Sequence, residues 1–190
     1  ANMERTVLDT LSGCGAEFKV KVVSFTRFAV QTLGDKVKSC LTPEGSVMLL
    51  ADVIEKKQSQ FVYYRRVRPD SLAGEVYAAL TALRNSGVST LEFREKAKRL
   101  PSSLQRKAQD LALMHEGYLE ALSDKRHDSS TRLEALADLL EDSNEAVNSA
   151  HFYVVEMHDF NTPQLKVLGA IDKGAKSLTV GLVSGFDNKN

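Results

Sequence analysis

The sequence predicts a mainly α fold, a multi-helix bundle with a long antiparallel helical hairpin, and three observations carry that prediction. Apolar residues recur at steps of three and four along most of the chain. Capping residues and prolines stand where helices should begin. At 190 residues, 43% of them hydrophobic and 26% charged, the chain suits a single domain, residues 1–190, with a core of its own.

The elements follow in order. The first twenty residues carry Glu4, Asp9 and Glu17 inside their apolar pattern, which is not the make-up of a secretory signal. "LSGCGAEFK" has a Gly-x-Gly but lacks the third glycine of a dinucleotide fingerprint and the Gly-Lys-Ser/Thr of a phosphate-binding loop, so it reads as a turn. Thr42 followed by Pro43 is a cap with proline in the first turn. Val47, Leu50, Ile54, Phe61 and Tyr64 then keep one helical face. Asp70 or Ser71 caps a helix through Leu72, Val76, Leu80 and Leu83, closed by "NSG". Ser89 with Glu92 makes a capping box, and Val88 with Phe93 a hydrophobic staple, so a helix starts at Thr90. Pro101 ends it, since the residue before a proline is pushed out of the α region.

Ser102 or Ser103 restarts the chain into the hairpin, expected over about 103–158. Leu104, Ala108, Leu111, Tyr118 and Leu122 form its first face, with His115 in the one missing apolar place. The polar run "DKRHDSST" is a turn or bend. Leu133, Leu136, Leu140, Val147, Ala150, Val154 and Met157 continue the spacing in the second arm, which gives the hairpin a coiled-coil character. Thr162 with Pro163 repeats the cap-plus-proline signal, and Leu168, Ile171, Ala175, Leu178 and Leu182 follow at helical steps.

Four stretches resist this reading: 17–25, 61–68, 151–158 and 178–185. Each is rich in β-branched or aromatic residues, and the alternative is an α+β fold with a small sheet built from them.

No constellation of catalytic residues emerges, so the expectation is a protein that is not an enzyme, with no cofactor and no metal. His127-Asp128 and His158-Asp159 resemble the metal-binding pair of HD-type phosphohydrolases, but over two residues only, without the further His and distant Asp that chemistry needs. The sequence has no Glu-x-x-His for a di-iron bundle. Cys14 and Cys40 read as free thiols, which with the absence of an N-x-Ser/Thr site expects a cytoplasmic protein.

Charge and aromatic content point to binding. Formal net charge is zero, yet residues 110–160 hold twelve acids against three bases, and residues 1–109 hold eighteen bases against eleven acids. Opposed segments should attract each other, within one chain or between copies, and a neutral whole argues against general nucleic-acid binding. "FVYYRRVRPDS" (61–71) concentrates Tyr and Arg, the residues that carry interface energy. Tyr63, Tyr64, Arg65, Arg66 and Arg68 are the candidate partner-binding residues, facing a protein partner or a second copy. The function expected is a non-enzymatic interaction and assembly module that self-associates through its acidic hairpin. The alternative is a membrane-associated or pore-forming helical protein, prompted by the hairpin and the Gly-rich end; an acidic hairpin would be repelled by anionic lipid.

Overall fold

The computed structural model of the chain describes residues 2–13, 20–36, 39–122 and 126–183. It is mainly helical, at 67% helix, with two small parallel two-stranded sheets among the described residues. In chain order the elements are α1 (Asn2–Ser12), α2 (Phe25–Leu33), β1 (Ser39–Cys40), α3 (Pro43–Lys57), α4 (Pro69–Asn85), α5 (Thr90–Ala97), α6 (Ser102–Leu122), β2 (Arg126–His127), α7 (Ser129–Asp142), β3 (His151–Met157), α8 (Thr162–Gly174) and β4 (Ser177–Leu182). The expected turn around Cys14 and residues 17–19 lie outside the described residues.

Local chemistry sets most helix starts. Thr42 caps α3, its hydroxyl accepting from the Gly45 N–H at 3.1 Å with Pro43 in the first turn. Ser89 caps α5 by accepting from the Glu92 N–H at 3.2 Å. The Glu92 carboxylate turns instead to Lys96, 2.8 Å away one turn on. For α8 the cap lies one residue earlier than Thr162: Asn161 and Gln164 satisfy each other's backbone N–H at 3.0 Å. No side chain caps α4; Pro69 opens it, and Ser71, one of its expected caps, donates to the Arg68 carbonyl. Gly87, at φ 72°, ends the α4 turn, and a Cβ there would meet the Thr162 side chain at 2.9 Å.

Of the four apolar stretches, two are strands. β3 and β4 pair in parallel, Tyr153 opposite Thr179, with α8 as the crossover between them. Phe152 and Leu178 pack on the core side, while Tyr153 is 70% exposed. Phe25 begins α2 rather than ending a strand, and 61–68 is a loop.

The hairpin stops short of its expected length. Its second helix ends at Asp142, and residues 151–157 are strand where the spacing ran on as helix. The two arms also pack on different neighbours, α6 on α3 and α5, α7 on α2 and α8. Coiled-coil pairing between them is therefore not the architecture.

Two apolar clusters result. One joins α3, α4 and α6 through Leu50, Ile54, Val76, Leu80, Met114 and Tyr118. In it Gly117 lets α6 approach α3 so closely that a Cβ would lie 2.7 Å from Val53. The other joins α2, α7 and α8 through Ala29, Leu133, Leu136, Leu140, Val167 and Ile171.

A buried carboxylate links them. Asp128, 1% exposed, is the N-cap of α7 and accepts from the Ser130 and Thr131 N–H groups at 3.0 and 2.9 Å. Arg84 of α4 grips both its oxygens, one of the two bonds measuring 2.8 Å, and the Tyr118 hydroxyl of α6 donates to it at 3.1 Å. Burial pushes the Asp128 carboxyl up, but Arg84 and the donors outweigh it and hold it at about 2. Next to this group, His115 is pushed down to about 4 by burial and by the Arg84 charge, so it is neutral at pH 7. Its Nδ1 bonds the Thr90 hydroxyl at 2.8 Å, tying α5 to α6.

Replacing Asp128 by Ala leaves a buried guanidinium uncompensated, and should cost ~3–5 kcal/mol in urea unfolding. The double variant Arg84→Leu/Asp128→Leu should lose less than the two single Leu variants combined; strict additivity would show that the pair is not a coupled joint.

Candidate functional site

The stretch 61–71 is neither helix nor strand over residues 61–68 because a residue from far along the chain organises it. α3 ends at Lys57, and a short 3-10 turn (Gln58–Gln60) leads into Phe61, which is buried in the α3/α4/α6 cluster. The chain then crosses α6 and meets Asp110, which is fully buried. Its carboxylate accepts from three successive backbone N–H groups: Val62 at 2.9 Å, Tyr63 at 2.7 Å and Tyr64 at 2.8 Å. Charge-assisted bonds of this kind are the strong ones, and three donors satisfy much of what burial removes from the carboxylate. The Val67 N–H closes a turn on the Tyr64 carbonyl at 3.0 Å, and Gln58 donates to the Val67 carbonyl at 3.0 Å.

The clasp fixes the backbone and turns the side chains outward. Tyr63, 54% exposed, meets Tyr64 edge to face, their centroids 4.8 Å apart. Lys107 of α6 stands close to both rings, at 6.0 and 5.9 Å. Arg65, Arg66 and Arg68 are all exposed. Arg68 lies 3.7 Å from Asp70, both in solvent, while Arg65 and Arg66 form no ion pair among the described residues. All five residues singled out in the sequence thus share one loop, Tyr64 half-buried and the rest exposed.

Among the described residues, the expected pairing of these arginines with the acidic segment does not occur. The acidic segment draws other cations instead: Lys57 to Glu120 at 3.3 Å, Arg94 to Glu116 at 2.7 Å, and Arg84 to Asp128. It holds the loop through backbone and not through guanidinium groups. Sequence reasoning missed Asp110 and Lys107. One signal was present: Asp110 precedes Met114 and Tyr118 by four and eight residues, an acid in register with two fully buried positions.

Other candidate chemistry recedes. Asp128 of the first His-Asp pair is taken up by Arg84, Tyr118 and the α7 cap. Among the described residues, no group of three His, Cys, Asp or Glu is placed to hold a metal ion. Cys40 lies exposed on β1, and partial desolvation raises its thiol, which keeps it protonated at neutral pH.

A family model described as "ADDB, N-terminal" matches residues 2–190. The chain belongs to this family. Similar proteins include the B subunit of the ATP-dependent helicase/deoxyribonuclease of Oceanobacillus iheyensis, 27% identical over 184 residues that make up 90% of this chain and 16% of that protein. The protein of the same name from Bacillus subtilis is 26% identical over 184 residues, 90% of this chain and 15% of its own length. The one from Staphylococcus saprophyticus is 23% identical over 184 residues, 94% and 16% respectively. The chain therefore spans about a sixth of the length of the curated relatives it matches.

These matches correct the expected function. A self-associating assembly module is replaced by membership in a family whose relatives are named as part of a helicase and deoxyribonuclease. The membrane alternative falls with it, and among the described residues no helix is long and apolar enough to cross a membrane. The expectation that nucleic acid is an unlikely partner is corrected too, since the relatives are named as B subunits of an ATP-dependent helicase/deoxyribonuclease. That expectation averaged charge over the whole chain. Neutrality of the sum coexists with a loop carrying three exposed arginines.

Asp110→Asn should leave the fold intact but loosen the loop, because the amide offers one acceptor and turns N–H donors toward N–H donors. Hydrogen exchange at the Val62, Tyr63 and Tyr64 amides should quicken roughly tenfold or more relative to the α4 amides. Unchanged exchange at those three would remove Asp110 as the organiser.

Proposed function

We propose that this chain is a DNA-contacting, non-catalytic part of a helicase/deoxyribonuclease, and that the loop Phe61–Arg68 makes the contact. Tyr63, Tyr64, Arg65, Arg66 and Arg68, joined by Lys107, are its binding residues. The observation that carries this reading is the clasp: a buried carboxylate fixes the backbone so that the Tyr63 ring, backed by the half-buried Tyr64, and the cations stand together at the surface. Single strands are bound by that combination, stacking surface for bases and positive charge for phosphates. Two unpaired arginines fit an anionic ligand better than a neutral one.

The family membership and the names of the relatives support placing this contact in a DNA-processing enzyme. In this reading residues 1–190 act as one folded unit, in the cytoplasm, and its protein partner is the remainder of the enzyme rather than a second copy. Nucleotide hydrolysis and strand cleavage belong elsewhere in the enzyme; residues 1–190 contain no Gly-Lys-Ser/Thr to cradle a triphosphate.

Fluorescence anisotropy with a labelled single-stranded oligonucleotide tests the reading. Affinity should fall steeply with salt, and replacing Arg65, Arg66 and Arg68 by Glu should abolish binding at moderate salt. Replacing them by Ala should flatten the salt slope by about 2, at roughly 0.7 for each phosphate no longer neutralised. Binding that neither set of changes affects would overturn the assignment of the loop.

A further inference from the structure

Beside the loop a groove runs between residues 60–62, α5 and α6, with a volume of about 400 Å³. Its lining is largely apolar, with the buried Ala97 and Ala108 and the exposed Val62. Its rim carries Gln60 and Gln109, whose amides have no hydrogen-bond partner among the described residues, and the cations of Arg94 and Lys98. Each cation is already partly neutralised, Arg94 by Glu116 at 2.7 Å and Lys98 by Glu95 at 2.6 Å. The groove is thus less basic than the loop next to it, and richer in groups that both donate and accept.

The same residues build both surfaces. Val62 is a wall of the groove, and its N–H is the first of the three held by Asp110, which itself lines the groove. Gln105 stiffens the far end, its amide nitrogen donating to the Lys98 and Leu100 carbonyls at 3.0 and 2.8 Å. The clasp that presents Tyr63 and the arginines therefore also sets the width of the groove.

We propose that the groove takes an unstacked nucleobase of the single DNA strand whose phosphates lie on the loop, and that Gln60 and Gln109 bond its edge. An apolar lining suits the face of a planar base. Amide side chains match a base edge because each offers one acceptor and two donors, the pairing geometry glutamine uses on adenine. Full phosphates would favour Arg65 and Arg66, which carry no competing carboxylate. The inference rests on the loop reading, and adds base contact to backbone contact.

Two labelled strands of equal length and charge separate the contributions: one with ordinary bases, one abasic throughout. They are titrated against the 190-residue chain, against Gln60→Ala/Gln109→Ala, and against the triple Glu variant of the loop. Both glutamines are exposed, so the double variant should keep the parent melting temperature. The wild type should bind the strand with bases roughly tenfold more tightly than the abasic one. The double Ala variant should lose most of that preference while binding the abasic strand as before. The triple Glu variant should weaken both. A base preference undiminished by the double Ala change would belong wholly to the tyrosine rings and overturn the groove. Equal affinity of the wild type for the two strands would also overturn it, and would leave of the loop reading only its phosphate contacts. Failure of the wild type to bind either strand would overturn both.

Discussion

Asp128 is the buried polar joint between the two apolar clusters. The cluster of α3, α4 and α6 and the cluster of α2, α7 and α8 each bury their own faces. Between them the polar joint brings together Arg84 from α4, Tyr118 from α6 and the first turn of α7. Taking a carboxylate and a guanidinium out of water is expensive, and only good geometry with the remaining lone pairs satisfied offsets it. Here both oxygens are engaged, and the acid that meets Arg84 also caps a helix. Such a joint favours one relative placement of the helices over the alternatives that apolar packing alone would permit.

Asp110 repeats the device on a smaller scale. Both acids come from the strongly acidic segment, and both act from inside rather than as surface charge. That is why the opposed charge balance of the two segments was a sound signal with an inexact interpretation. The attraction exists, through Lys57, Arg84 and Arg94, but the exposed arginines of the 61–68 loop are left out of it. Arg65 and Arg66, which form no ion pair among the described residues, are the charges that the proposed anionic ligand would meet.

Much of the fold was legible where local chemistry decides. Thr42 and Ser89 cap helices because their hydroxyls reach backbone donors three residues on, and nothing distant competes. The strand β3 was not legible as such. Val147, Val154 and Met157 keep helical spacing with one another, while Phe152 and Leu178 find their places only because β4 returns parallel beside β3. The 61–68 loop was also undecidable locally: its β-branched and aromatic residues suit strand or helix, and a carboxylate forty-six residues beyond Tyr64 settles it. The candidate residues themselves were legible from composition, since Tyr and Arg in one short run stand out. What they face was not, because net charge says nothing of a surface that one loop dominates.

A clasped loop that lies against a DNA strand, as proposed, can be read directly by photocrosslinking. A single strand carrying iodouracil in place of thymine is irradiated with the chain, and the attached peptide is mapped. The adduct should fall on Tyr63 or Tyr64, and should diminish when Arg65, Arg66 and Arg68 are changed to Glu. Adducts confined to a distant surface such as Tyr153 on β3, unaffected by those changes, would contradict it.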